Sequence, residues 1–284
     1  MFFSRLVRAL KRRFFPSKLT NSPFLSGDSF ANLSDYEVYG KFKSDPIDLE
    51  RLKAANTIFV PGDRYREFIS EYGSFVRAKV ILIGNSDENF DTLPFAPNGV
   101  NLVLCQNLGV AINDKFKTLP IGLENRRLAR AGNPKLYKKS EPQKKALKVY
   151  VPPMSPTNPI RPRVLAELEG MKSDIFVVDR DYLEIRKYIR RVGNFQFLLC
   201  LEGNGHENHR VWESLYLNIF PVMFATPWSE SLKYLNLPIL YINTLSELNE
   251  QLLSDFYSKH SSFKAVERAE LWIPFWENLI NTNI

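Results

Sequence analysis

Short apolar runs recur along the chain, and most are separated by stretches with helical spacing. A short apolar run bounded by Gly, Pro or Asn predicts a strand, and a run without polar alternation predicts one covered on both faces. "NTIFVPG" (56–62), "AKVILIGNSDENF" (78–90, ending in a polar loop), "VNLVLCQN" (100–107) and "KTLPIGLEN" (117–125) fit this description. "DRYREFISEYGSF" (63–75) predicts a helix with Asp63 as its N-cap. Residues 19–50 are polar with little periodicity and read as a loop or irregular lead-in. Residues 126–146 are basic and polar with Gly and Pro, the composition of a linker.

The alternation then resumes more cleanly. Strands are predicted at 147–153, 174–179, 195–203, 220–225 and 238–243. Helices are predicted at 160–170 (ending at Gly170), 182–191, 209–218 and 229–236, with two more at 246–258 and 264–281. Strands alternating with helices imply parallel sheets in an α/β fold. The expected architecture is two Rossmann-like α/β domains facing a central cleft. They span 19–125 and 147–284, joined by the linker 126–146.

Charge changes the picture at one end only. The net charge is +7, but residues 1–18 hold six of the 38 basic residues and no acidic one. The remaining chain carries 32 basic against 31 acidic residues and gives no reason to expect nucleic acid as a partner. As a helix, residues 1–18 would place Phe2, Phe3, Leu6, Val7, Leu10 and Phe14 opposite Arg5, Arg8 and Arg12. That pattern suits an anionic membrane surface, or equally a basic tail. No stretch is apolar for long enough to cross a bilayer, and no secretory leader is evident. Cys105 and Cys200 sit in apolar runs and read as buried thiols of a cytoplasmic protein.

Candidate chemistry concentrates in "CLEGNGHENHRVWESLYLNIFPV" (200–222), which joins a predicted strand to a predicted helix. Ligands of open α/β sheets bind beyond the carboxyl ends of strands, and a helix start there suits an anion. Gly203 and Gly205 would permit close approach and positive φ. Arg210 would face a diphosphate and Glu213 a ribose hydroxyl; an Arg–Glu surface pair is the plainer alternative. His206 and His209 straddle a loop–helix junction with no third ligand nearby in sequence, so a metal is not expected. One of them would touch the ligand or shape the loop.

This stretch resembles the exostosin-like glycosyltransferases. In their donor-binding domain a strand and Gly-containing loop lead to Arg, then an aromatic–Glu pair, then a short Pro-Val strand. The matching positions are Gly203, Gly205, Arg210, Trp212, Glu213, Pro221 and Val222, and the likeness covers about 50 residues (195–245). The resemblance implies a GT-B fold whose second domain binds a nucleoside-diphosphate sugar, with the first domain on the acceptor side and no cofactor or divalent metal required. The acceptor would be a glycan or a lipid-linked glycan, as in cell-surface polysaccharide synthesis. A GT-B-like nucleotide-sugar epimerase and a non-catalytic glycan-binding protein are the alternatives.

Further candidates lie at other strand ends. In "VPPMSPTNPIRPR" (151–163), Ser155, Thr157, Asn158 and Arg161 could form a second jaw on the diphosphate, or merely cap a helix. Asp179 and Asp181 have metal-binding Asp-x-Asp form, but Asp181 is better placed as a helix cap. In the first domain, Asn85, Ser86 and Asn107 would face an acceptor. Asp87, then Glu124, are candidates for the base that removes its proton.

Overall fold

A computed structural model describes residues 21–40, 46–128, 130–137 and 145–284. The basic segment 1–18 lies outside them. Two five-stranded sheets carry the fold, and every strand pairing is parallel. The first contains β1 (Tyr36–Glu37), β2 (Thr57–Pro61), β3 (Val80–Gly84), β4 (Leu102–Cys105) and β5 (Phe116–Thr118), side by side in chain order. The second contains β6 (Ala146–Val151), β7 (Phe176–Val178), β8 (Phe195–Leu199), β9 (Phe220–Phe224) and β10 (Leu240–Ile242). Its order is β10-β9-β8-β6-β7.

Both sheets follow from the apolar runs. Every residue of β2, β3 and β4 is buried, as expected for strands covered on two faces. The period of two sorts their side chains. Ile58, Val60, Ile81, Ile83, Val103 and Cys105 enter a core private to the first sheet. Phe59, Leu82 and Leu104 instead join Tyr150, Leu198 and Trp212 of the second half in one shared core.

The lead-in is more ordered than its composition suggests. It contains α1 (Gly27–Ala31), with Ser26 as N-cap, then β1 at the sheet edge, and α2 (Leu49–Ala54), capped by Asp48. Burial of Phe24, Leu25, Phe30, Ala31, Tyr36, Val38 and Tyr39 explains this, since apolar residues spread through a polar segment dock it without a regular period. The expected linker also packs: Pro134 and Tyr137 are buried, and Asn21 Nδ2 donates to Glu124 O and Gly132 O. Residues 138–144 of that linker lie outside the described set. Asp63 falls inside a 3-10 turn, Gly62–Arg64, rather than capping α3 (Tyr65–Tyr72), because the chain tightens before the helix begins.

The second half supplies α4 (Ile160–Gly170), α5 (Ile185–Val192), α6 (His209–Tyr216), α7 (Pro227–Ser231) and α8 (Glu250–His260). Its last helix departs most from expectation. Placed by sequence in the second domain, α9 (Ile273–Asn281) packs in the shared core with first-sheet residues. The Trp276 ring meets Phe30 edge-on at 5.5 Å, and Asn101 Nδ2 donates to Asn283 O. Tyr216 Oη accepts from Leu25 N and donates to Leu271 O, tying the start and end of the described chain to one side chain. Among the described residues no helix is long and apolar enough to cross a membrane.

Candidate functional site

The order of the second sheet locates a crevice. The chain runs from β6 outward to β7, then returns to place β8 on the other flank of β6. At such a switch point the two following loops turn in opposite directions, leaving a gap outside the strand ends. The loop after β6 and the helix α4 form one wall. The loop after β8 and α6 form the other; α5 lies between them in the chain.

Two arginines bridge these walls. Arg161 Nε donates to Glu202 O at 2.7 Å, and its Nη1 to Ser155 O and Thr157 Oγ1. Arg210 Nη2 donates to Pro153 O at 2.6 Å, and Asn158 Nδ2 to Gly203 O. Burial lowers the Arg161 pKa, and the charge of Arg210 lowers it further. No described carboxylate forms an ion pair with either guanidinium. Two mutually repelling cations fixed by neutral carbonyls make a crevice suited to an anion. Ser155 Oγ pairs with Tyr182 Oη, and Thr157 serves Arg161, so these hydroxyls shape the wall.

The first half contributes a cavity of about 860 Å³ at the carboxyl ends of its strands. Asn85, Ser86, Asp87, Glu88 and Glu124 line it, as do Glu37 and Asp63. Asn85 follows β3 at φ 53°, a left-handed turn that asparagine tolerates. Its Oδ1 accepts from Asn125 Nδ2 at 2.8 Å, while Asn125 Oδ1 accepts from Asp28 N at 2.7 Å. Arg127 Nε donates to buried Asp28 at 2.7 Å. Asp28, Asn125 and Arg127 escaped the sequence reading because they sit in segments assigned to a loop, the end of a strand and a linker.

His209 reaches this cavity from the second half. Its Nδ1 lies 2.8 Å from Gly122 O; a carbonyl only accepts, so Nδ1 carries a proton. Nε2 then faces Glu124 Oε2 at 3.4 Å. Burial opposes charge on His209, but Glu124 outweighs it and pushes the pKa up to about 9. Burial would likewise raise Glu124, yet the hydrogen bond and charge of His209 hold it below its ordinary value. At neutral pH the pair is therefore imidazolium and carboxylate.

The glycine loop bonds across to the first half. Asn204 Nδ2 donates to Asp87 Oδ2, His206 N to Asn89 Oδ1, and Glu207 N to Asn107 Oδ1. His206 sits between Asp91, at 2.8 Å, and Glu202, at 3.4 Å. The Glu202 hydrogen bond raises the His206 pKa, burial opposes it, and Asp91 adds to the rise. The loop thus latches the second half onto the first. Neither Gly203 nor Gly205 has positive φ; each is small because a neighbour is close. A Cβ on Gly205 would lie 2.5 Å from Asn107 Nδ2.

No protein-family model matches this chain. No curated protein matches it either. The geometry therefore stands alone, and it revises several expectations. Asn107 is 1% exposed and spends its amide on Ser86 O, Glu88 O and Glu207 N, so it braces loops instead of meeting an acceptor. Glu213 is buried in the packed face of α6 and offers no rim for a ribose. Burial raises its pKa, and the nearby His209 and Arg210 charges pull it back. Asp181 does not cap α5; Glu184 does. Asp179 accepts from both Arg191 and Tyr150, which occupies the carboxylate with buttressing β6. His206 and His209 turn to different partners, Asp91 and the Gly122 carbonyl.

Glu207 is the residue that the sequence hid between two histidines. It is buried, and Oε1 accepts from Ile121 N and Trp212 Nε1 while Oε2 has no partner among the described residues. Burial pushes its pKa up to about 7 from an ordinary 4.5. The fold therefore favours the protonated form, and stability falls as pH rises from 4.5 through 7. Glu207→Gln removes that penalty. Its stability relative to the parent should rise by roughly 2–3 kcal/mol between pH 5 and pH 8. Urea melts at the two pH values measure this; equal differences at both would refute it.

Proposed function

We propose that the chain is a glycosyltransferase of GT-B type, similar to the exostosin-like enzymes, that moves a sugar from a nucleoside-diphosphate donor to a glycan or lipid-linked acceptor. The observation that carries this reading is the Arg161–Arg210 pair at the switch point of the second sheet, held by backbone carbonyls and in direct ion pair with no described carboxylate. A diphosphate supplies the matching charge there. The carboxylate-lined cavity across the latch supplies the acceptor side, and the Glu124–His209 pair stands where the two halves meet.

In this reading Glu124 takes the proton of the acceptor hydroxyl. That oxygen forms a bond to the anomeric carbon as the bond from that carbon to the diphosphate breaks. Arg210 and Arg161 offset the charge growing on the leaving diphosphate. His209 keeps Glu124 ionised and orients it. Asp87 is less suited to the proton, being exposed and held by Asn204 of the latch. The basic segment 1–18 would hold such an enzyme at a cytoplasmic membrane face near a lipid-linked acceptor.

Calorimetric titration with UDP- and GDP-sugars tests the donor site. At least one should bind saturably, and Arg210→Ala should weaken it by about tenfold or more. Failure of every nucleotide to bind, or unchanged affinity in Arg210→Ala, would reject the reading.

A further inference from the structure

The cavity of the first half is rich in carboxylates. Its amides are consumed by its own walls. Gln106 Oε1 accepts from Asn85 N and Gln106 Nε2 donates to Ser86 O. Asn85 and Asn125 bond to each other, and Asn125 also accepts from Asp28 N. The described cations of the lining are matched as well: Arg127 by Asp28 at 2.7 Å, His209 by Glu124 at 3.4 Å. What remains for a ligand is mainly the carboxylates of Asp87 and Glu88, which pair with no described cation, with the Ser86 hydroxyl and the terminal nitrogens of Arg127 as the described donors. Ionised carboxylates only accept hydrogen bonds.

A wall on which carboxylates outnumber cations favours a ligand rich in donors. Hydroxyls and ammonium groups supply them; phosphates and carboxylates bring further acceptors and like charge, which is strongly unfavourable at close range. We infer that this cavity recognises an uncharged or amine-bearing saccharide and rejects saccharides carrying carboxylate or phosphate. This rests on the transferase reading, which makes the cavity the acceptor site, and it narrows the acceptor to its chemistry. If the acceptor is lipid-linked, its diphosphate lies outside the cavity and only the terminal sugar enters. Asp87 and Glu88 act here as specificity residues, since both are exposed on the wall and neither pairs with a described cation.

The test uses the intact chain without nucleotide. Saturation-transfer NMR and calorimetry would compare methyl glycosides of the gluco, galacto and manno series with their 2-amino-2-deoxy, uronic acid and 6-phosphate forms. In at least one series the neutral or amino form should bind about tenfold or more tightly than the acidic forms. The double variant Asp87→Asn with Glu88→Gln, at two exposed positions, should shrink that ratio. Equal or tighter binding of acidic forms, absence of any neutral or amino ligand, or an unchanged ratio in the double variant would overturn the inference. A parallel UDP and GDP titration separates the two ideas. Nucleotide binding without saccharide binding fails this inference and leaves the transferase; saccharide binding without nucleotide does the reverse.

Discussion

Replacing Glu124 by glutamine should slow sugar transfer by about 10²- to 10⁴-fold, the range a positioned general base supplies. The amide keeps the size of the side chain and an acceptor oxygen for Asn125 N but cannot take a proton. Nucleotide affinity should stay at the parent level, because Glu124 lines the first-half cavity and the arginine crevice lies in the second half. The pH profile adds a sharper readout. On the proposed mechanism transfer requires ionised Glu124, so its acid limb should fall below the ordinary carboxylate value of 4.5. His209→Gln removes the cation that holds Glu124 down, so the limb should move to higher pH. Rates come from the donor and acceptor that the binding screens identify. A Glu124→Gln enzyme that transfers sugar normally would remove Glu124 from the chemistry.

The largest structural effect is expected from Trp276→Ala. The indole is fully buried, its edge meets Phe30, and Nε1 donates to Glu270 O. Truncation leaves a cavity where both halves meet, at a cost of about 3–5 kcal/mol. Trp276→Phe fills most of the space and should recover more than half of that loss. Urea midpoints measure both. A loss below about 1 kcal/mol would show that α9 contributes little to joining the halves.

The sheets were legible because their information is local. "VILIG" and "FQFLLC" declare buried strands whatever surrounds them, and the predicted second-half strands all fall on observed ones. The candidate site was legible in outline for a related reason, since a parallel sheet gathers its loops at the carboxyl ends of its strands. Arg161, Arg210, Glu124 and Asn85 all sit near such ends. What failed was long-range. Nothing near Glu213 announces that α6 buries its second turn, and nothing near Asn107 reveals Glu207 docking a hundred positions later. The two histidines drew attention as a pair, but their partners, Asp91 and Glu124, come from separate loops of the other half. The destination of α9 was likewise invisible, because an amphipathic face does not say which sheet it will cover.

Gly205 is confined by Asn107, and Gly27 by Asn85, whose Oδ1 would lie 1.7 Å from an added Cβ. Each glycine is thus half of a lock whose other half is an asparagine in the turn after β3 or β4. A distant relative that gains a side chain at either glycine must shorten or reorient the matching amide. Paired change at 27 with 85 and at 205 with 107 is the fingerprint by which divergent copies of this architecture can be recognised when overall likeness has faded.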